Sequence, residues 1–412
     1  MKVILTAWGT SGDVDPMAAI GLALQSQGVE VVLFTNPFFA EKLSNKGLTV
    51  EGFGEEWDPS ELVTNDHWMH PQLGGIRVWN GLFLPRVEFL YKTLESYLKD
   101  NPVNLVLNHI WCFGGYFAAR AASVPTGFVG MAPTSWFSAE EPIYAGPTRS
   151  PRWFRRWAMK GPVRTLMNLT MGRSLDKACK ALNIDAPPRA FFQATQQSDC
   201  NYGLWSPLLR GPAQDDPVDA QIVGFPRGTK PPAPLDPKLL SFLEAGEAPV
   251  ILGLGSALPP LAPDIYRHTL QACRDLNQRV VLVGGDDTLV ESGCQDALVV
   301  PYAPYRSLFP HAKVIIHHGG IGTLAEAMYT GCPTLQIPFA NDQFDNAFRS
   351  EDLGVARVVP RVKVNLSRLR NSLNECITSE EMKTKALQFQ EQLQHEPCGA
   401  EQIALNIQKQ FS

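Results

Sequence analysis

The sequence predicts an α/β protein built on two parallel sheets, and three observations carry that expectation. Short apolar runs alternate with helix-patterned stretches, the rhythm of strand–helix–strand units. The rhythm breaks at a proline-rich segment near the middle and then restarts. At 412 residues the chain is too long for one ordinary hydrophobic core, which favours two domains.

The elements follow in order. Met1 to Trp8 carries one Lys and a short apolar run before Gly9, Thr10, Ser11 and Gly12, too short for a signal-peptide core, and Val3 to Ala7 reads as the first strand. Pro16 to Gln27, with Ile20, Leu22, Ala23 and Leu24 ahead of a stopping Gly28, reads as a helix. Strands are expected at Val29 to Thr35, Leu105 to Leu107 and Thr126 to Gly130. The prolines of GTKPPAPLDP fit neither a helix nor a central strand, so the linker is placed at 226–238. Beyond it, Val250 to Leu254, Arg279 to Val283, Val314 to His317 and Thr334 to Ile337 read as strands. The expected division is an N-terminal domain over 1–225, a C-terminal domain over 239–395, and a final helix over 396–412 that is expected to return to the N-terminal domain.

Composition narrows the function. With 44% hydrophobic and 19% charged residues the chain is a packed globular protein. A formal charge of −5 gives no general attraction to polyanions, and no nucleic-acid partner is expected. The eight cysteines include no CxxC pair, which argues against a zinc ribbon or a disulfide framework and fits a reducing cytoplasm. No apolar stretch approaches the roughly 18 to 20 residues that span a bilayer, so any membrane contact is expected to be peripheral, at the inner face.

All nine tryptophans precede the linker. Flat apolar side chains suit the lining of a site for a bulky apolar molecule, and Trp79, Trp111 and Trp136 are the candidates; the alternative for each is an ordinary core position. RWFRRWAMK, residues 152–160, sorts at helical spacing into an aromatic arc and a basic arc. A solvated helix covering the pocket for that apolar molecule is the favoured expectation, and weak peripheral contact with an anionic membrane the alternative.

The most informative segment is VIIHHGGIGTLAEA, residues 314–327, in which a strand runs through His317, His318, Gly319, Gly320, Gly322 and Thr323 into a helix. Glycines let the backbone approach an anion, and the first-turn N–H groups and helix dipole favour negative charge, so a diphosphate is the expected occupant. Adjacent histidines rarely face one ion and no third ligand stands at useful spacing, so no metal is expected.

This segment resembles the donor-binding signature of the inverting GT-B fold UDP-glycosyltransferase family. The register continues through Glu326, Gly331, Pro333, Pro338, Asp342 and Gln343. The resemblance implies two Rossmann-like domains facing across a cleft and a UDP- or dTDP-sugar donor, with no cofactor. It implies that His318, Gly320, Gly322 and Thr323 contact the diphosphate, with Ser256 as a second phosphate contact. Glu326 would hold the ribose, Asp342 and Gln343 the sugar hydroxyls, and Tyr302 would lie under the base, with a strand-end core position as its alternative. Tyr305 stands where plant members often carry Gln, which leaves uridine and thymidine both open.

Transfer with inversion needs a base for the acceptor hydroxyl. The GTSGDVDP loop after the first strand has no His, so a carboxylate must serve. The loop resembles the branch containing sterol glucosyltransferases, glycopeptide-antibiotic glycosyltransferases and the rhamnolipid rhamnosyltransferase, which implies Asp13 as the base; Gly12 joins the donor-binding set. Asp15, just before Pro16, is expected to cap the helix. The function expected is transfer of a hexose to a hydroxyl of an apolar acceptor of sterol, polyketide, phenolic or acyl type. A catalytically silent nucleotide-sugar-binding partner subunit is the alternative. A dinucleotide oxidoreductase is disfavoured because the first loop lacks GxGxxG and the second strand ends without an acidic residue.

Overall fold

In a computed structural model, which describes residues 1–62, 68–227, 232–255, 258–291 and 293–411, the chain forms two wholly parallel sheets. The first is ordered β3-β2-β1-β4-β5-β6-β7. Its strands are β1 (Lys2–Thr6), β2 (Glu30–Thr35), β3 (Thr49–Gly52), β4 (Leu105–His109), β5 (Thr126–Gly130), β6 (Cys200–Gly203) and β7 (Ala220–Ile222). The second, ordered β10-β9-β8-β11-β12-β13, takes β8 (Val250–Gly253), β9 (Val280–Val283), β10 (Ala297–Val300), β11 (Val314–His317), β12 (Thr334–Gln336) and β13 (Ala356–Val358). Every strand expected from sequence falls on an observed one within two residues. Edge strands β3, β7 and β13 are three or four residues long and too short to show a period.

Both sheets are covered on both faces, as parallel sheets require. Alternate residues of the first divide between two cores: Ile4, Val32 and Val106 face one, while Val3, Leu5, Val31, Leu33, Leu105 and Leu107 face the other. The final helix, Gly399–Phe411, packs Ala400, Ile403, Ala404 and Ile407 into this second core beside Met17 and Ile20 of the first helix. The strand order reverses direction between β1 and β4, and again between β8 and β11. In open parallel sheets ligands bind outside the carboxyl ends of the strands at such points.

The first helix corrects one expectation. It runs Ser11–Ser26, with Thr10 rather than Asp15 as its cap. Thr10 Oγ1 accepts from Gly12 N–H at 3.2 Å, and the Asp13 carboxylate reaches back to accept from Thr10 N–H at 2.8 Å. Thr10-x-x-Asp13 satisfies two end groups reciprocally, which a lone Asp before proline does not, so the helix starts earlier and takes in Pro16 at the loss of one N–H. Asp15 instead pairs with Lys42 at 3.0 Å and Lys46 at 3.5 Å.

Candidate active site

The carboxyl ends of β8 and β11 build a cradle. His317 ends β11, His318 follows it, Gly319 turns the chain at φ +85°, and the helix Ile321–Met328 begins after Gly320 with no side-chain cap. The first-turn N–H groups of Ile321, Gly322 and Thr323 are therefore left without intrahelical partners. A Cβ added at Gly322 would meet nothing within 4 Å, so the loop opens on this side. His317 is fully buried and accepts from Gly319 N–H at 3.1 Å. Burial holds His317 down to about 3 and His318 down to about 4, so both are neutral at physiological pH. The Nδ1 of His318 has no partner among the described residues.

Ser256 lies outside the described residues. The turn before it is held by Tyr305, whose hydroxyl accepts from Gly255 N–H at 3.0 Å while its ring stacks on Phe309. Tyr305 is thus part of the turn's scaffold. Tyr302, at 76% exposure, is no core aromatic; its ring is free to take a flat ligand. Glu326 is raised by burial, opposed by the charges of Arg227 and Arg306.

The sugar-binding candidates begin the next helix, Gln343–Asp352. Burial raises Asp342 to about 6, and the negative charge of Asp13 in the other domain adds to the shift, so the two carboxylates lie within electrostatic reach across the cleft. Gln343 Oε1 is committed to Phe339 N–H at 2.9 Å and Ala340 N–H at 3.3 Å, which leaves its amide nitrogen as the group for a ligand. Asn346, unforeseen in the sequence, donates to both Gly319 O at 3.0 Å and Asp342 Oδ2 at 2.8 Å. One amide therefore ties the glycine loop to the acidic residue; its signal was the spacing of one helical turn from Asp342.

Across the cleft, Asp13 closes the loop after β1. A Cβ on Gly9, which sits at φ +122°, would fall 2.3 Å from Asp13 Oδ2, so only glycine lets the carboxylate fold back. Its Oδ1 lies 3.3 Å from Nε2 of His109, a residue absent from the sequence expectations. His109 ends β4, is 1% exposed, stacks on Phe83 and accepts Trp111 N–H on Nδ1 at 3.4 Å. With Nδ1 accepting, His109 turns Nε2 toward Asp13 Oδ1, while Asp13 Oδ2 accepts from Thr10 N–H at 2.8 Å and from the Thr10 hydroxyl at 3.0 Å. The only sequence signal was a strand end beside β1. Gly12 is exposed at the same helix start.

A recess of about 10 Å³, room for roughly one water, is lined by Trp8, Phe53, Phe83, Arg86, Trp111 and Phe113. Among the acceptor candidates Trp111 lines it, half-buried. Trp79 is core, 1% exposed and donating to Ser174 at 3.0 Å. Trp136 is buried against Trp205 in a cluster that includes Leu324 and Met328 of the donor helix, so it joins domains rather than lining a pocket. A further clamp closes the cleft: Tyr144 N–H bonds Asp345 at 2.9 Å, Arg349 reaches Glu141 at 3.3 Å, and Arg149 pairs with Glu351 at 3.1 Å. Among the described residues, no group of three or more His, Cys, Asp or Glu is placed to hold a metal ion.

Known proteins with these features are glycosyltransferases. A family model for the Erythromycin biosynthesis protein CIII-like C-terminal domain matches residues 267–408, and one for the glycosyltransferase family 28 N-terminal domain matches residues 3–122. An O-mycaminosyltylonolide 6-deoxyallosyltransferase of Streptomyces fradiae is 27% identical over 94% of the chain and 92% of its own length. A sterol 3-beta-glucosyltransferase of Arabidopsis thaliana is 26% identical over 91% of the chain and 60% of its own length. The glycosyltransferase of kitacinnamycin superposes with TM-score 0.76 at 19% identity, covering 100% of this chain and 99% of that one. Glycosyltransferase VinC, solved in complex with dTDP, superposes at 0.70 with 19% identity and 99% coverage of both chains. The chain is a nucleotide-sugar-dependent glycosyltransferase of the GT-B type, a relative of sterol and antibiotic glycosyltransferases.

Proposed function

We propose that the chain transfers a hexose, with inversion, from a UDP- or dTDP-sugar to a hydroxyl of an apolar acceptor such as a sterol, polyketide, phenolic or acyl compound. The observation that carries this reading is the pairing of two switch points, one presenting Asp13 beside His109, the other presenting His318 and the uncapped helix, with Asp342 after the neighbouring strand β12. The acceptor oxygen attacks the anomeric carbon as the bond to the diphosphate breaks, and its proton passes to the Asp13 carboxylate. A carboxylate suffices, because the hydroxyl becomes acidic only as its new bond forms. The departing diphosphate takes its hydrogen bonds from His318, Thr323 and the first-turn N–H groups of Gly322 and its neighbours, with Gly320 and Gly12 leaving room for it and no metal required. Tyr302 stacks on the base, Glu326 holds the ribose, and Asp342 with the Gln343 amide holds the sugar. His109 is a positioning residue that fixes the Asp13 rotamer. The sterol named in one relative supports an apolar acceptor.

The test is Asp13→Asn, with nucleoside diphosphate release measured against an acceptor panel and donor affinity measured in parallel. Turnover is expected to fall by about a hundred- to ten-thousand-fold while donor affinity stays within about twofold. Retained turnover, or loss of donor binding alongside it, refutes the assignment.

A further inference from the structure

The segment after the clamp loop carries charge and apolar surface that the transfer reaction leaves unused. From Pro142 to Leu175 the chain has seven Arg or Lys and no Asp or Glu, within a protein of formal charge −5. The helix Arg152–Lys160 leaves Trp153 72% and Trp157 57% exposed, while every other tryptophan is buried or half-buried. Phe154 is exposed beside them, with ring centroids 5.9 Å from Trp153 and 5.6 Å from Trp157, so the three form one ridge. Leu166 and Leu169, on the turns that follow, are also exposed. Single exposed apolar residues are ordinary; a cluster this dense marks a contact surface.

The charges around the ridge are of two kinds. Arg152 and Arg156 are tied back to Glu141 and Glu140, and Arg155 lies over the Tyr144 ring at 3.4 Å while donating to Pro142 O at 2.7 Å. These contacts seat the helix on the clamp loop. Lys160, Arg164 and Arg173 are exposed and make no salt bridge among the described residues. Arg164 lies over the Phe192 ring at 4.7 Å, which leaves Lys160 and Arg173 as the cations without such a contact among the described residues. Aromatic side chains rimmed by cations outside salt bridges are what a headgroup layer takes up: tryptophan rests at the interface, and Lys and Arg are drawn to anionic lipid. A second copy is the wrong occupant, since it would set the unpaired cations Lys160 and Arg173 of one face against those of another.

We propose that the face centred on Trp153 and Trp157 is an interfacial docking surface for an anionic bilayer. The net negative remainder of the protein is repelled by such a surface, so only this face approaches it, and the molecule is oriented as it binds. Docking there sets the clamp loop, and through Tyr144 the helix that carries Gln343, beside the bilayer. The surface stands independently of the sugar-transfer chemistry proposed above.

The experiment is sedimentation of the full chain with vesicles of equal parts phosphatidylcholine and phosphatidylglycerol, against vesicles of phosphatidylcholine alone. Binding to the anionic vesicles in low salt is expected, weakened about tenfold by omitting the anionic lipid or raising the salt. Trp153→Ala with Trp157→Ala, and separately Lys160→Glu with Arg173→Glu, are each expected to reduce binding about tenfold while thermal midpoint and turnover of a detergent-dispersed acceptor stay unchanged. Brominated lipid should quench the wild-type fluorescence more than that of the tryptophan variant. No sedimentation with anionic vesicles in low salt overturns the proposal, as does binding by both variants equal to that of wild type. So does a solution dimer in which Trp153 and Trp157 are shielded from a soluble quencher.

Discussion

His318 sits in a slot made by what its neighbours lack. A Cβ at Gly320 would fall 2.3 Å from its Nε2, and one at Gly255 would fall 3.0 Å from its Cε1, so the imidazole is wedged between two bare backbones. Burial there keeps it neutral, which lets it offer one N–H to a diphosphate without paying for a buried charge. The same depression sets a stability effect with a definite sign. The unfolded chain binds a proton at this residue below about 6.5 and the folded chain only near 4, so folding loses stability as pH falls through that window. His318→Gln is therefore expected to flatten the acid limb of the stability curve by up to about 3 kcal/mol relative to wild type, measured by denaturant unfolding from neutral pH downward. Asp342, whose raised value works in the opposite sense, is common to both proteins and cancels in the difference. The same variant should lose about a hundredfold in turnover. This residue was legible in the sequence because the glycines that frame it stand in the same short motif. His109 was not, because its partner Asp13 is 96 positions away and only the pairing of β1 with β4 brings the two strand ends together.

Two helix starts show how elements turn composition into a site. At the first, Thr10 and Asp13 form the capping box, so the carboxylate proposed as base is also the group that fixes where the helix begins. Sequence reasoning gave these duties to different aspartates, since proline at a first turn is a stronger local cue than Thr-x-x-Asp. At the second, Asn346 bridges the carbonyl of Gly319 and the carboxylate of Asp342, and a Cβ on Gly319 would lie 2.9 Å from Gln343 O. The glycine loop and the sugar motif, 24 positions apart, are thus one packed unit, which their separate spacing patterns did not reveal. Asn346→Ala leaves a buried carbonyl and a carboxylate without a donor and should cost roughly 1–3 kcal/mol. Thermal unfolding should record that loss, and the stabilisation given by saturating UDP- or dTDP-sugar should shrink with it, since Asp342 is no longer held. A variant as stable as wild type with undiminished donor stabilisation would deny Asn346 this role.

At the scale of the molecule, chain order and packing order disagree, and the disagreement couples the domains. The last helix follows the second sheet in sequence but buries Ile403 and Ile407 at 0% exposure against the first helix and β1. Its entry is tight: Gly399 N–H bonds Phe225 O at 2.9 Å, and a Cβ on Gly399 would fall 2.2 Å from Gly224 O. The outgoing linker and the returning chain therefore cross in contact, while the clamp of Tyr144, Arg349 and Arg149 joins the domains on the cleft side. A crossing whose Phe225 packs with Leu324 and Met328 of the donor helix holds the two sheets together on one side, and a polar clamp joins them on the other. Two domains joined at both places should unfold as one. Thermal unfolding of the full chain is expected to show a single transition, and removal of 399–411 to split it, with the first sheet melting earlier because its second core has lost a wall. Ile403→Ala tests the same coupling more gently: it should destabilise by about 2–5 kcal/mol and lower the common transition as a whole, since the cavity it leaves lies in a core that both ends of the chain share. Two transitions already present in the intact chain would show that the crossing does not couple the domains.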